Sequence, residues 1–480
     1  MLFNSIDFFV FFAIVYLLYL RLPHRRQNQL LLVASYVFYG WWDYRFLSLL
    51  LVSTIVDFIV GLRIHAASSP AARRRWLATS VSAQLSLLGF FKYYGFFVDS
   101  LEAALGSTGL DVSMLRLHVV LPVGISFYTF ASMSYTIDIY RGQFRPTRNF
   151  LDFALFVAFF PQLLAGPIER ARQLLPQIAN PRRLSPEQFR DGVYLVGWGL
   201  IKKVIIADHC ALIVNEVFSD PGRHGGGELL IAVYAFAIQI YGDFSGYTDI
   251  ARGIAKLMGF ELVLNFNLPY FAINPSDFWR RWHISLSNWL RDYLYISLGG
   301  NRRGALVTYR NLLLTMVLGG LWHGAKWTMV VWGLYHGCLL VAHRLYTSWR
   351  SGHLRPPVAL QNPLARLALA AVFFQFTCIG WLIFRAESMG QVLIFAQGIA
   401  TRFVFTSQAG EYLVQLGLLV APLLAIELWQ YRSNDLLAWI RLRPSWQMAT
   451  AFGFAAATLA YWILFQSALG TSQEFIYFQF

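Results

Sequence analysis

Charged residues are scarce in this chain. They make up 13% of its 480 residues, whereas soluble domains carry about 25%. A soluble chain with so few charges could not cover its surface with polar groups, so the composition excludes a soluble globular protein. Hydrophobic residues make up 57%, and the 41 Phe, 24 Tyr and 16 Trp are typical of apolar spans with aromatic belts at both lipid interfaces. The composition therefore predicts a polytopic integral membrane protein.

Cysteine is also rare, and its placement excludes several kinds of site. Cys210, Cys338 and Cys378 all lie in apolar stretches, and none belongs to a CxxC or a Cys/His metal spacing. We interpret them as small buried hydrophobic residues. No GxSxG is present either, so nothing in the chain supports a Ser-His-Asp hydrolase.

The net charge is +14, which in a soluble protein would suggest a nucleic-acid partner. Here the basic residues form short clusters between apolar runs, as the positive-inside rule expects of a membrane protein. The lipid bilayer is therefore the expected partner, and nucleic acid is not. The N-terminus has no basic segment and no cleavage site of the signal-peptide type, so we interpret it as a retained first span.

A membrane span needs about 20 mainly apolar residues. The candidates are Ile6–Leu20, Leu30–Trp42, Phe46–Gly61, Trp76–Val98, Leu117–Tyr140, Gly192–Phe218, Leu229–Ile250, Ala365–Phe384, Tyr412–Trp429 and Gln447–Leu469. With re-entrant segments, the sequence predicts about 11–13 membrane helices. No repeat or separate soluble domain is visible, so we expect one membrane domain over residues 1–480 with a core near 120–345.

Basic clusters follow the first, third and fifth candidate spans, and the loops between them are poor in Lys and Arg. This alternation predicts a periplasmic N-terminus and cytoplasmic basic loops. The clusters are Arg21, Arg25 and Arg26, then Arg63, Arg73, Arg74 and Arg75, then Arg141, Arg145 and Arg148.

Three later segments depart from simple spans. Phe150–Ala165 contains Pro161 and has basic residues on both sides, which predicts a re-entrant segment covered by protein. Phe278–Tyr295 is strongly amphipathic and is predicted to be a helix in the membrane interface. Ala305–Tyr346 also has basic flanks on both sides, which predicts a hairpin whose turn lies at Gly319–Ala325.

An ionisable residue within a membrane is costly, and its presence suggests a function. His323 lies in the predicted hairpin turn, where a neutral imidazole could act as a general base or form a hydrogen bond between helices. His283, on the amphipathic helix, is either functional or merely interfacial. Asp243 and Tyr247 share a helix face and could orient a histidine, line a tunnel or join helices by hydrogen bonds.

Two other polar groups have simpler explanations. His336 and His343 lie one above the other on the returning helix, but no acidic or thiolate ligand has a fitting spacing, so we predict no metal or haem. Lys202 and Lys203 are predicted to snorkel or to bind lipid headgroups.

Long stretches of the chain resemble the membrane-bound O-acyltransferase family, most closely its bacterial alginate O-acetylation and teichoic-acid D-alanyl-transfer branch. The matching motifs are GWWDYRFLSLLLVSTIVDF at Gly40–Phe58, LPVGISFYTFASMSYTIDIYRG at Leu121–Gly142, FFPQLLAGPIERA at Phe159–Ala171, YGDFSGYTDIARG at Tyr241–Gly253, NPSDFWRRWHISLSNWLRDYLYI at Asn274–Ile296, GGLWHGAKWT at Gly319–Thr328 and FIYFQF at Phe475–Phe480.

The resemblance implies an all-α membrane fold with a central funnel or tunnel. It implies that His323 is the catalytic histidine and that His283 occupies the family's other important polar position, an Asn or a His. Trp322, Arg280, Asp243 and Tyr247 would support them or line the tunnel.

The resemblance also implies a biological setting. An acetyl group from a cytoplasmic donor, acetyl-CoA or an acyl-carrier thioester, would cross the bacterial inner membrane with no bound cofactor. Periplasmic SGNH-type acetyltransferase partners would then modify an extracellular polysaccharide such as alginate.

Other functions stay open at this point. D-alanyl transfer is one. A sugar or lipid flippase would also explain the spans, but it predicts paired interrupted helices in two related halves, and the sequence shows no such relation. A membrane scaffold for a polysaccharide synthase leaves the buried polar residues unexplained.

Overall fold

The computed structural model describes residues 1–106, 113–117, 119–164, 166–353, 362–442, 444–447, 453 and 476. Within these ranges the regular structure is helical, and no β-strand occurs among them. This confirms the all-α prediction. The predicted last span, Gln447–Leu469, and the terminal FIYFQF motif lie outside the described residues, apart from Gln447, Gly453 and Ile476.

Contacts divide the chain into two compact units. The first unit consists of Met1–Val193 and Ala251–Val263. Its helices are α1 (Ile6–Tyr19), α2 (His24–Asp43), α3 (Leu47–Ala66), α4 (Pro70–Leu88), α5 (Tyr94–Leu105), α6 (Ile125–Tyr140), α7 (Phe150–Ala158), α8 (Phe160–Leu163) and α9 (Ala171–Ala179). The chain leaves this unit within α10 (Pro186–Leu200).

The second unit consists of Tyr194–Ile250 and Leu264–Phe480. Its helices are α11 (Asp208–Ser219), most of α12 (Gly226–Leu257), α13 (Pro275–Trp279), α14 (Ile284–Trp289), α15 (Ala305–His323), α16 (Trp327–His353), α17 (Pro363–Arg385), α18 (Met389–Thr401) and α19 (Ser407–Ser433). A single domain over residues 1–480 stays a prediction.

Local sequence explains where many of these helices begin. Asn362 accepts a hydrogen bond from the backbone N–H of Leu364, and Pro363 occupies the first helical position of α17. Asn274 and Pro275 repeat this arrangement at α13, and Ser69 and Pro70 repeat it at α4. A side-chain oxygen satisfies a donor that has no partner inside the helix, and proline lacks the donor altogether.

Five stretches among the described residues are long and apolar enough to cross a membrane. They are His24–Ala66, Gly226–Leu257, Ala305–His323, Pro363–Arg385 and Ser407–Ser433. This number is below the predicted total partly because π-helical segments interrupt other apolar runs, at Gly89–Tyr93 and at Ile201–Ala207. The helix α18 (Met389–Thr401) was not among the predicted spans.

The predicted re-entrant run Phe150–Ala165 is a broken helix. Phe159 adopts φ −51° and ψ 110° between α7 and α8, and Pro161 lies in the first turn of the second piece. The side chains from Phe153 to Leu163 are all buried. Protein therefore covers the irregular backbone, as a break inside a membrane requires. Ala165 itself lies outside the described residues.

The predicted hairpin exists as α15 and α16, but its turn is shorter than expected and lies at residues 324–326. Gly319 and Gly320, predicted to form the turn, lie inside α15. A Cβ on Gly320 would approach the carbonyl oxygen of Met329 to 2.1 Å, and a Cβ on Gly333 would approach that of Met316 to 2.3 Å. These glycines therefore let the two helices pack backbone to backbone, as small residues do between membrane helices.

The single amphipathic helix predicted over Phe278–Tyr295 is wrong. The segment contains the short helix α13, a turn, α14 and a π-helical stretch at Leu290–Tyr295. The break occurs because His283 adopts a left-handed backbone conformation, with φ 43° and ψ 52°. A helix cannot continue through such a residue. Trp282 and His283 are consequently buried in protein rather than placed along an interfacial helix.

Candidate active site

His283 occupies the turn between α13 and α14, and an extended segment on its flank holds this turn. The backbone N–H of Ile284 donates to the carbonyl oxygen of Asn265 at 2.9 Å, and Asn267 N–H donates to the carbonyl oxygen of Arg281 at 2.9 Å. The N–H and Oγ of Ser285 both donate to Oδ1 of Asn265, at 3.2 and 3.0 Å. These bonds maintain a backbone conformation that is uncommon for residues other than glycine.

His323 is the last residue of α15. The helix ends there because Gly324 is extended, with φ −161° and ψ 145°. His323 is only 3% exposed and His283 is fully buried. The close packing of α15 on α16 at Gly320 and Gly333 thus places the imidazole of His323 at a fixed end of a rigid helix pair.

The rings of His283 and His323 lie 6.0 Å apart between centroids, at an interplanar angle of 61°. Aromatic rings enclose the pair. The ring of Phe244 lies against His283 at 4.7 Å between centroids, tilted by 34°, and Trp322 contacts the rings of both histidines, at 5.7 and 5.1 Å. Trp332 and Phe384 contact His323 at 5.1 and 5.5 Å. The structure therefore brings together the two histidines that the sequence singled out.

Burial determines the charge state of His283, which lies outside the helices long enough to span a membrane. Loss of hydration lowers the pKa of His283 from 6.5 to about 3, so its imidazole is neutral at physiological pH. A neutral imidazole carries one donor and one acceptor nitrogen. Because the ring of His323 lies 6.0 Å away between centroids, one small reacting group can contact both histidines and form a hydrogen bond with His283.

Asp243 does not contact a histidine in any hydrogen bond that the structure gives. Its Oδ1 lies 2.8 Å from the ammonium of Lys203, which also lies 2.8 Å from Asp208. Its Oδ2 accepts a hydrogen bond of 2.6 Å from the backbone N–H of Ile476. Asp243 precedes Phe244, so this ion pair fixes the turn of α12 that presents a ring to His283. Tyr247, one turn later, is buried.

The prediction that Lys202 and Lys203 snorkel or bind lipid is wrong. The two side chains are buried, and Lys202 pairs with Asp249 at 2.6 Å. Asp249 and Asp243 come from α12, which approaches closely because Gly199 has no side chain: a Cβ there would lie 2.5 Å from the carbonyl oxygen of Gly246. Buried ammonium groups need such partners, since the cost of an unpaired charge in a protein interior is large.

Of the other two predicted site residues, Trp322 contacts the two histidines and Arg280 does not belong to their cluster. Trp322 is buried and contacts both histidines. Arg280 is exposed, and its Nε donates to the carbonyl oxygen of Ser276, so it does not belong to the enclosed cluster. Its neighbour Arg281 pairs instead with Asp277 at 2.9 Å.

His336 is buried against Phe278 and Trp332, whose ring centroids lie 5.9 and 4.7 Å from its own. Across the described ranges, no group of three or more His, Cys, Asp or Glu side chains could hold a metal ion.

The sequence did not indicate Asn265 and Phe244 as residues of this site. Phe244 was inconspicuous among 41 phenylalanines, and Asn265 lies in an irregular segment, 259–268, that has no helical periodicity. One signal was available: Asn265 and Asn267 are polar residues within an otherwise apolar stretch of VLNFNLPYF.

The sequence was also compared with known protein families and with individual proteins. The model of the membrane-bound O-acyltransferase family matches residues 142–385. The chain is 47% identical to the probable alginate O-acetylase AlgI of Azotobacter vinelandii over 81% of this chain and 76% of that protein. It is 36% identical to the peptidoglycan O-acetyltransferase of Helicobacter pylori over 83% of this chain and 80% of that protein. Likeness to the teichoic acid D-alanyltransferase of Bacillus subtilis is lower, at 28% over 55% of this chain and 69% of that protein.

Proposed function

Because this chain belongs to the membrane-bound O-acyltransferase family, we propose that it transfers acetyl groups toward the hydroxyls of an extracellular polysaccharide such as alginate. The observation that supports this most is the pair of buried imidazoles, His283 and His323, whose centroids are 6.0 Å apart. The similarity to alginate O-acetylases over 81% of the chain supports the choice of acetyl group and polysaccharide.

In the proposed reaction His323 is the general base. It takes the proton of an acceptor hydroxyl while the hydroxyl oxygen attacks the carbonyl carbon of an acetyl thioester. The C–S bond then breaks, and the leaving thiolate takes the proton back from His323. His283 donates or accepts a hydrogen bond in its neutral form, and Trp322 and Phe244 exclude water from both rings.

The proposed donor is acetyl-CoA, with an acyl-carrier thioester as the alternative, and it binds from the cytoplasm. The protein lies in a bacterial inner membrane with its N-terminus in the periplasm. Periplasmic SGNH-type acetyltransferase proteins are the proposed partners, as the resemblance to the alginate-type branch implies. The alternation of basic and neutral loops supports this orientation.

Peptidoglycan is the second candidate acceptor, because similarity to a peptidoglycan O-acetyltransferase extends over 83% of the chain. D-alanyl transfer to teichoic acid has weaker support, from 28% identity over about half the chain. A flippase has no support from this similarity.

The test is acetyl transfer by the purified full chain in detergent. Radiolabelled acetyl-CoA and an acetylated acyl-carrier protein are supplied in parallel, each with alginate oligosaccharides, with peptidoglycan fragments or with no acceptor. We expect label to leave the thioester and to appear on protein or oligosaccharide. A protein that consumes neither thioester, alone or with a co-purified periplasmic partner, contradicts the proposal. A flippase would leave both thioesters intact.

A further inference from the structure

Asn265 is buried beside His283, and only one half of its side-chain amide has a partner. The residue is 1% exposed. Its Oδ1 accepts two hydrogen bonds, from the N–H and the hydroxyl of Ser285, whereas its Nδ2 has no hydrogen-bond partner among the described residues. A buried donor without a hydrogen-bond partner destabilises the folded protein. A donor retained at this cost next to a catalytic turn suggests a partner that arrives with the substrate.

The orientation of this amide is not ambiguous. An asparagine side chain can usually be turned over, because its oxygen and nitrogen look alike. Here the backbone N–H of Ser285 can only donate, so the atom that faces it must be the oxygen. The amide is planar, so the NH2 group of Asn265 then lies on the side of the amide that does not face Ser285.

The surroundings make the position rigid. The carbonyl oxygen of Asn265 accepts from Ile284 N–H at 2.9 Å. The next residue, Phe266, is wedged between Phe244 and Trp282, with ring centroids 5.0 and 4.9 Å away. Phe244 in turn contacts the ring of His283. The segment that carries Asn265 is therefore bound to the residues on both sides of His283.

We propose that Asn265 is a catalytic residue whose Nδ2 donates hydrogen bonds to the carbonyl oxygen of the bound acyl group, while its two oxygens hold the turn that carries His283. This inference rests on the proposed acyl transfer. The attack of a hydroxyl turns the thioester carbonyl oxygen into an oxyanion, and a donor fixed in advance stabilises that charge. No additional proton or electron is moved, because the amide keeps its hydrogens throughout.

The decisive variant is Asn265→Asp, which keeps the oxygen that accepts from Ser285 and replaces the NH2 by a second oxygen. Loss of one oxyanion donor typically lowers kcat about 10²–10³-fold. We expect that loss in the acetyl-transfer assay at neutral pH, with KM for the thioester changed much less. A protonated aspartic acid regains an O–H donor, so the ratio of variant to wild-type rate should rise as the pH falls.

The matched control is Asn311→Asp. Asn311 is also buried in the second unit, but its Nδ2 donates to the carbonyl oxygens of Leu298 and Gly300. This control should lower the melting temperature in detergent and leave kcat per folded protein and its pH profile as in the wild type. Asn265→Ser, which keeps a hydroxyl near Ser285 but loses the reach of the amide, serves if the aspartate variant does not fold.

The outcomes are distinct. A folded Asn265→Asp or Asn265→Ser protein with kcat within about three-fold of wild type overturns the inference, as does an Asn265→Asp protein whose rate relative to wild type does not rise as the pH falls. Failure of the wild-type protein to consume any thioester contradicts the proposed function instead.

Discussion

His283 and His323 meet through a turn and a helix end, not through two helix faces: one imidazole is carried by a residue at φ 43°, the other by the last residue of α15. Both positions are set by local backbone geometry, and the rings lie 6.0 Å apart as a result. Changes to the backbone on either side should therefore affect the site as strongly as changes to the rings.

Replacement of His283 by asparagine tests what its ring contributes. Asparagine tolerates the left-handed conformation and retains a donor and an acceptor, whereas alanine has neither property. We expect His283→Ala to lower the acetyl-transfer rate about 10–100-fold or more and His283→Asn to recover part of the loss. Equal activity of the two variants would mean that the ring serves only as packing.

The same substitution should change how stability depends on pH. The pKa of His283 is about 3 in the folded protein and 6.5 in the unfolded chain, so the unfolded state binds the proton first as the pH falls. The stability from a neutral buried ring is thus complete above pH 6.5 and is lost progressively toward pH 3. His283→Asn has no such group, so its melting temperature relative to wild type should rise on acidification. A difference that stays constant across that range contradicts the assigned charge state.

Gly320 should be the most sensitive position of the α15–α16 hairpin. A Cβ there would lie 2.1 Å from the carbonyl oxygen of Met329, which only a shift of the backbone can relieve. Overpacking of this kind costs about 1–3 kcal/mol or more. We expect Gly320→Ala to lower both the melting temperature and the transfer rate.

Gly319→Ala is the matched control, because its Cβ would meet only the mobile end of Leu290 at 3.0 Å. Equal stability of the two alanine variants would show that the helices are not packed as described.

Asp243→Asn should destabilise the protein through Lys203. The substitution removes one of the two carboxylates that pair with the buried ammonium of Lys203 and leaves Asp208. Breaking a buried ion pair typically costs about 3–5 kcal/mol. Asp220, which pairs with Arg223 on the surface, provides the control, and Asp220→Asn should change the melting temperature very little. A similar small effect at both positions would argue against the buried pair.

Much of the architecture could be predicted from hydropathy and from the positions of arginine. The hairpin of His323 followed from basic flanks on both sides of Ala305–Tyr346, and the broken helix at Phe150–Ala165 followed from Pro161 and the same charge logic. These features can be read from the sequence because the bilayer selects segments by their hydropathy and by the basic residues that flank them.

The features that escaped prediction depend on tertiary contacts. The amphipathic period of Phe278–Tyr295 gives no sign of the left-handed residue at its centre, since that conformation is maintained by Asn265 from a separate segment. The burial of Lys202 and Lys203 depends on carboxylates of α12 that only the close approach at Gly199 and Gly246 makes available. The hydrophobic periodicity of one segment contains no information about a residue that contacts it from another segment.

The central claim is that His323 is the base of acyl transfer, and one comparison tests it most directly. His323→Gln and His336→Gln each remove a buried imidazole from the α15–α16 hairpin. Acetyl transfer from labelled acetyl-CoA, or from the acylated carrier protein, is measured for both at equal amounts of folded protein. A general base typically contributes about 10²–10⁴-fold, so His323→Gln should lose at least that much while His336→Gln keeps more than about a tenth of the wild-type rate. Transfer by His323→Gln at near the wild-type rate would contradict the assignment.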